Sequence, residues 1–485
     1  MDILRQYING EWTEALDGKV RELKDPANGE SLGSCAEGSP ADLDLAVTAA
    51  RSAFKSWRKT SAAERAALLC RAADLVEERA EEIARLEMRC TGKRLSSCRG
   101  YIAGVSALFR FYAGIAELPS APSFNVKPDV TTVCIREPIG VCGIIVPWNA
   151  PAFIMSNELA PALAAGNTVI VRPSSVTPLG TAAVVKCIED AGFPKGVVSL
   201  VLGGGSTVGS AMGEHPGIDK ISFVGGTETA RGLIRSSAGN IKKLALELGS
   251  KSASIVFDDA DMDSAIGNII GSLFPSAGEI CVGCTRVLVQ DTVYDAFVRE
   301  MTRRVSAIKV GPPDDDATEM GPLITREHLD KVMSYVELGK AEGARITTGG
   351  RRLTEGIFSK GNYMEPTVFA DVRNDMRIAQ EEIFGPVICI EKFSTEEEAF
   401  DIANDSVYGL AGAVFTRDMG RCMRFIREVK ATCLWVNNYG EDGGNGAPVW
   451  LVKHSGYGVQ MGIEGIESYT DVKNVSIVVI PALPV

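Results

Sequence analysis

The chain has 485 residues, with 50 Lys and Arg against 62 Asp and Glu for a formal net charge of −12. Hydrophobic residues make up 45% and charged residues 23%, which excludes a disordered or fibrous chain and leaves a globular protein with a large core. A pI near 5.1 argues against a nucleic-acid partner, which needs a basic face to neutralise phosphates. At about 150 residues per domain, the length predicts two or three domains. The most apolar stretch, residues 139–155, is broken by Pro147, Asn149 and Pro151 and falls short of the roughly 20 residues a membrane span requires. The opening MDILRQYINGEW shows no charged-then-apolar export pattern. The twelve scattered Cys are expected as reduced thiols, so the expected location is cytoplasmic.

In chain order, residues 42–57 and 62–90 carry apolar positions at helical spacing, and Ser61 with Glu64 has the form of a capping box opening the second helix. Residues 125–136 place Val126, Val130, Val133 and Ile135 in a polar, Thr-containing setting and predict an extended hairpin. From residue 139, short apolar runs at 140–146, 168–172, 198–202 and 219–224 alternate with helical stretches at 152–165, 179–190, 206–213 and 227–238. That alternation predicts βαβ units around a parallel sheet. A second α/β series is expected over 252–438, with strands near 285–289, 386–392, 411–416 and 433–436. No repeat of fixed period is present. The apolar tail 475–485 is expected to pair with another surface, such as a second subunit.

A parallel sheet commonly holds a nucleotide. No G-x-G-x-x-G occurs: Gly203-Gly204-Gly205 with Gly209 is one residue too long and reads as a plain loop. Gly225-Gly226-Thr227, between the strand ending Phe223-Val224 and a helix, is the better phosphate neighbour, because helix N-termini present free N–H groups. Only three histidines occur, His215, His328 and His454, none of them beside a Cys, which speaks against Cys–His or Ser–His–Asp hydrolysis. Cys281-x-x-Cys284 has no second pair at a suitable spacing, so no metal site is expected. Most cysteines are expected to pack as small hydrophobes. Cys281 differs: it lies in the glycine-flanked stretch Gly278-Glu279-Ile280-Cys281-Val282-Gly283 between a helix and a strand, where an exposed thiolate can attack a carbonyl.

Four segments occur in order along nearly the whole chain: Pro147-Trp148-Asn149-Ala150-Pro151, Leu246-Glu247-Leu248-Gly249, Gly278-x-x-Cys281, and Glu381-Glu382-Ile383-Phe384-Gly385-Pro386. On these the sequence resembles the NAD(P)-dependent aldehyde dehydrogenase superfamily. The resemblance implies an α/β fold in three parts. A Rossmann-type dinucleotide-binding domain would use residues 1–119 and 139–247, and an α/β catalytic domain 248–450. A small β oligomerisation element would use 120–138 and 465–485, giving a homodimer or homotetramer. It implies oxidation of an aldehyde to its carboxylate through a cysteine thiohemiacetal and thioester, with NAD or NADP. Cys281 would be the nucleophile, Asn149 with the Cys281 amide the oxyanion donors, and Glu247 the base that activates hydrolytic water. Pro147, Trp148, Gly225 and Thr227 would lie along the cofactor, with Thr227 and Gly225 at the pyrophosphate. Glu382 and Phe384 would position the nicotinamide ribose and ring.

The sequence departs from the family close to these positions. Arg172 stands where Lys is usual and Ser175 where NAD-preferring members often have Glu, which leaves both cofactors open. Glu158 replaces a Lys and Gln460 a Glu, and a hydrogen bond between the two is expected. Glu279 replaces Gln and is expected to raise the thiol pKa. Pro448-Val449-Trp450-Leu451 replaces Pro-Phe-Gly-Gly after the glycine-rich run 440–446. Trp450, Trp148, Phe153 and Phe111 are then candidate walls of a pocket for an apolar or aromatic aldehyde. Two other readings stand beside oxidation. A CoA-acylating relative is opposed by Glu247, and a catalytically impaired dinucleotide-binding relative by the intact Cys281, Glu247 and Asn149.

Overall fold

Two mostly parallel sheets and one small antiparallel sheet organise the chain. A computed structural model describes residues 3–118, 121–127, 129–440 and 444–478. In the first sheet the parallel strands lie side by side in the order Lys243–Glu247, Lys220–Val224, Val141–Ile145, Thr168–Arg172, Val198–Leu200. Three short antiparallel strands extend it, Gln6–Ile8 and Glu11–Thr13 at one edge and Gly456–Tyr457 at the other. The three central strands are buried at every residue, as expected where helices cover both faces. Helices Ala62–Glu78, Leu95–Gly114, Pro151–Ala165 and Leu179–Asp190 pack on one face. Pro40–Trp57, Ser210–Glu214 and Thr227–Ser237 pack on the other. The strand order reverses between Val141–Ile145 and Lys220–Val224, and such a reversal leaves a crevice at the carboxyl ends of the two strands.

The second sheet runs Arg345–Thr348, Thr367–Val372, Val387–Phe393, Arg286–Gln290, Ala253–Val256, Ala411–Phe415, Cys433–Val436, parallel except for the first pair. In the third, Thr470–Val478 pairs antiparallel with Val130–Pro138, which pairs with Ser123–Lys127. The C-terminal strand thus pairs with the hairpin of the same chain, the two segments expected to form one small β element. Residues 479–485 of that predicted tail lie outside the described residues.

The capping box at Ser61 is present: Glu64 N donates to Ser61 Oγ at 3.2 Å and Ser61 N to Glu64 Oε2 at 2.7 Å. The expected helix over 62–90 is broken at Arg79, whose φ of −103° and ψ of 15° end one helix and begin Ala80–Thr91. A one-residue break leaves the apolar spacing on either side intact, so periodicity does not show it. The strands between residues 3 and 36, each two to six residues long, are too short to display a period.

Arg286 opens the strand that follows the Cys281 turn and is fully buried. Its guanidinium donates to Glu391 Oε1 at 3.0 Å, Asn374 Oδ1 at 2.9 Å and the Ile402 carbonyl at 2.7 Å. Breaking a buried pair leaves a charge without its partner, so Glu391→Ala is expected to destabilise the fold by about 3–5 kcal/mol, read from urea unfolding.

Candidate active site

A cavity of about 230 Å³ opens at the strand-order reversal. Its floor comes from chain segments that leave the sheet there: Pro147, Trp148 and Asn149 after Val141–Ile145, Gly225 and Gly226 after Lys220–Val224, and Glu247 to Gly249 at the end of Lys243–Glu247. Cys281, Glu382, Phe384, His328 and Lys331 close it from the side of the second sheet. A second cavity of about 510 Å³ lies at the same strand ends, bounded by Ile145, Arg172, Gly205, Phe223 and the helix residues Gly232 and Leu233. Between them, helix Thr227–Ser237 starts at Gly226 with no side chain capping its first N–H groups. Those free donors suit a phosphate, and a cavity on each side suits the two halves of a dinucleotide.

Cys281 Sγ donates to Glu247 Oε1 at 3.2 Å, and both side chains are partly exposed to the cavity. Burial pushes the thiol well above its ordinary pKa, and the carboxylates of Glu247 and then Glu382 push it further. Glu247 is itself raised by burial; its bonds to Cys281 and Gln460 pull it back, while the charge of Glu158 adds to the rise. The thiol therefore rests protonated beside a carboxylate able to take its proton.

The turn before Cys281 passes through two residues of positive φ, Ala277 at 51° and Gly278 at 72°. A Cβ on Gly278 would stand 1.9 Å from the Gly385 carbonyl oxygen, so only glycine lets this turn rest on the Glu381–Pro386 segment. Gly249 lies close to the same segment, where a Cβ would come within 2.4 Å of the end of the Glu382 side chain. Glu382 Oε1 accepts the Ser250 N–H at 2.8 Å, and Ser250 Oγ donates to the Cys281 carbonyl. Phe384 adopts a φ of 57° and its carbonyl is 2.7 Å from His328 Nε2. Burial pushes the His328 pKa down to about 4, so the ring is neutral and donates Nε2–H to that carbonyl. Trp148 stands edge-on to both rings, 5.1 Å from His328 and 5.3 Å from Phe384.

The pattern described as the aldehyde dehydrogenase family matches residues 12–475. A betaine aldehyde dehydrogenase of Bacillus subtilis (strain 168) is 43% identical over 472 residues, 97% of this chain and 96% of the relative. A crystal structure of betaine aldehyde dehydrogenase from Staphylococcus aureus in complex with NAD+ is 40% identical, with a TM-score of 0.97 over 99% of this chain and 96% of that one. A point mutant of the same enzyme, with NAD+ and a BME-modified cysteine, also reaches 0.97 at 40% identity over 99% and 98% of the two chains. The chain belongs to the aldehyde dehydrogenase family. It is an NAD(P)-dependent oxidoreductase acting on an aldehyde, and the α/β fold expected from the sequence is the one observed.

The structure brings Pro147, Trp148, Asn149, Gly225, Glu247, Cys281, Glu382 and Phe384 to one cavity. Arg172 lies on the second, where its Nε and Nη2 donate to the Gly203 carbonyl at 3.0 and 2.7 Å. The Gly203–Gly205 run is therefore more than a plain loop: it receives Arg172 and contributes Gly205 to the cavity wall. Ser175 and Thr227 line neither cavity, although Thr227 opens the uncapped helix and its hydroxyl bonds Tyr408. His328 and Lys331 sit on helix Arg326–Ala341 away from every motif, so no sequence signal marked them.

Four expectations near the site are corrected. Glu158 does not bond Gln460. Glu158 Oε2 accepts the Tyr469 hydroxyl and its Oε1 has no partner, while Gln460 Oε1 accepts Asn157 Nδ2 at 3.4 Å. Consecutive helical positions point about 100° apart, so only one of residues 157 and 158 faces Gln460. Glu279 is not among the chief causes that raise the thiol pKa, which are burial and the carboxylates of Glu247 and Glu382. Its carboxylate turns inward, with Oε1 accepting Ile324 N–H at 2.8 Å and Oε2 3.9 Å from Lys93 Nζ, and burial pushes it up to about 8.

Trp450 does not wall the cavity. Val449 pairs with Gln460 and Trp450 with Val459, and cross-strand partners share a face. Gln460 turns inward toward Asn157 and Glu247, so Val449 follows it and Trp450 faces out, 55% exposed. Phe111 and Phe153 line neither cavity either. Phe153 packs 6.2 Å from Tyr101, whose hydroxyl lies 3.1 Å from Ser276 Oγ, and Phe111 faces Gly446. Residues 441–443 of the glycine-rich run lie outside the described residues. Cys284 is buried with its thiol 2.8 Å from Ser254 Oγ, and no group of metal-ligating side chains occurs among the described residues.

Because a carboxylate beside the thiol opposes its ionisation, Glu247→Gln removes a charge that disfavours thiolate. The pH midpoint for alkylation of Cys281 by iodoacetamide is expected to move down, and the rate at neutral pH to rise. A midpoint that moves up would contradict this geometry.

Proposed function

We propose that this chain oxidises a small quaternary-ammonium aldehyde of the betaine aldehyde type to its carboxylate, using NAD+, with Cys281 as nucleophile. The observation that carries the reading is the 3.2 Å contact of Cys281 Sγ with Glu247 Oε1 at the mouth of a cavity built on the strand-order reversal. Cys281 gives up its proton to solvent and the thiolate adds to the aldehyde carbon. The Asn149 amide and the Cys281 backbone N–H hold the negative oxygen of the thiohemiacetal. The bound dinucleotide supplies the hydride acceptor. Collapse of the oxyanion leaves a thioester on Cys281, and Glu247 then removes a proton from the water that hydrolyses it. Glu382 and Phe384 would orient the nicotinamide end, with Pro147 and Trp148 along the cofactor and Gly225 and Thr227 at the pyrophosphate.

The substrate class is supported by the names of the relatives, which are betaine aldehyde dehydrogenases. An apolar or aromatic aldehyde is the second reading, favoured by the Trp148 and Phe384 rings that line the cavity. NAD+ over NADP+ is supported by the NAD+ complexes of the Staphylococcus enzyme. It is also supported by Arg172, which is committed to Gly203 and faces the Glu37 carboxylate. Ser175 adds no positive group for a 2′-phosphate.

The first sheet with residues 1–119 and 139–247 would serve as the dinucleotide-binding domain and 248–450 as the catalytic domain. The antiparallel sheet from 120–138 and 465–485 would serve for assembly. Its edge strand Thr470–Val478 exposes Val472, Ile477 and Val478 beside an unpaired backbone, which supports a homodimer or homotetramer. None of the twelve cysteines forms a disulfide, which supports a cytoplasmic enzyme, and no helix among the described residues is long and apolar enough to cross a membrane.

Betaine aldehyde, aliphatic and aromatic aldehydes, each with NAD+ or NADP+, test the proposal through the absorbance of reduced nicotinamide. Cys281→Ala is expected to abolish turnover. Glu247→Gln is expected to keep a stoichiometric burst while steady-state turnover falls about 100-fold or more. Loss of the burst in Glu247→Gln would remove Glu247 from the hydrolytic step alone. Preference for an aromatic aldehyde would replace the quaternary-ammonium reading.

A further inference from the structure

The helix ending at Thr91 and the helix Leu95–Gly114 are joined by a short connection that carries Lys93, and no step of the proposed reaction uses this residue. It is only 3% exposed. Its ammonium donates to the Ser276 carbonyl at 3.1 Å and the Glu279 carbonyl at 3.3 Å. Those two carbonyls bracket Ala277 and Gly278, the consecutive residues of positive φ that precede Cys281. A non-glycine residue stays in that region only where its surroundings over-determine it. The carboxylate of Glu279, 1% exposed, completes the arrangement, with Oε2 3.9 Å from Lys93 Nζ and Oε1 bound to the Ile324 N–H.

The bracketed turn rests directly against the Gly385 carbonyl, next to Phe384. A compact ammonium has three donors, enough for two carbonyls and a carboxylate; a methionine of similar length fills the same space and donates nothing.

We propose that Lys93 is a positioning residue for the reaction: its ammonium, bridging the Ser276 and Glu279 carbonyls, holds the left-handed turn that aims Cys281 into the cavity. The proposal rests on Cys281 being the nucleophile. A simpler role, neutralising the buried Glu279, predicts a different outcome and is separable from it. Lys93→Met alone leaves Glu279 buried without a cation, so its stability loss is not informative. Lys93→Met combined with Glu279→Gln removes the charge pair as a unit and restores a neutral interior.

Full-length Lys93→Met/Glu279→Gln and Cys281→Ser would be compared with the unmodified enzyme. The measurements are melting temperature, NAD+ affinity, kcat and KM for the best aldehyde of the panel, and the rate of Cys281 alkylation by iodoacetamide. The double variant is expected to melt within a few degrees of the parent and to bind NAD+ within about 3-fold, while kcat falls about 100-fold, the scale of a misplaced reacting group. Alkylation of Cys281 is expected to change with kcat. A folded double variant with the parent's kcat, or one whose only loss is in NAD+ affinity, would overturn the positioning role. Turnover retained in Cys281→Ser would instead overturn the nucleophile reading on which it rests.

Discussion

The thiol of Cys281 and the carboxylate of Glu247 belong to different sheets, and every function of the site depends on holding them 3.2 Å apart. One such hydrogen bond contributes only about 1 kcal/mol, far too little to dock two sheets, so the packing must place them first. The crossing segment from Glu247 to Ser250 shows how. Leu248 N–H bonds the Ser455 carbonyl at 2.9 Å, and Ser455 Oγ bonds the Gly249 carbonyl at 2.8 Å while accepting Gly409 N–H at 3.0 Å. Ser250 then reaches Glu382 with its backbone and the Cys281 carbonyl with its hydroxyl. Four residues of chain thus connect base, nucleophile and the segment carrying Phe384.

The surroundings of this contact are unusually rich in buried ionisable groups. Lys220, pushed down to about 8 by burial, donates to Ser468 O at 2.8 Å and to its Oγ at 3.0 Å and lies over the Tyr469 ring. Tyr469 in turn donates to Glu158, whose charge contributes to raising Glu247. Glu87, raised to about 7 by burial, accepts the Ala152 N–H at the start of the helix that follows Asn149. Each of these groups has at least one polar partner, which is what makes burial tolerable. Burial thus brings the titration of Glu87 and Lys220 close to neutral pH.

The parallel strands of the first sheet were legible because burial on both faces writes them as continuous apolar runs, from Val141–Ile145 to Lys220–Val224. The motif residues around Cys281 were legible for a different reason: tight backbone approaches, such as Gly278 on Gly385, tolerate few substitutions. What stayed hidden depended on geometry between elements. The resemblance pairs Glu158 with Gln460, but does not show the rotation of the helix that turns Asn157 toward it instead. It shows Glu279 two residues from Cys281, but not that the turn directs it to Lys93, 186 positions away. It shows the bulk of Trp450, whereas the direction of that bulk is fixed by strand pairing. The N-terminal strands escaped because two or three residues carry no period.

The pairing of Val449 with Gln460 has a consequence for how such a pocket changes. Alternation along a strand means that a slip of one residue exchanges inner and outer faces. The ladder here is only two pairs long. A slip of one residue would exchange the faces of Val449 and of the Trp450 indole, which is now 55% exposed.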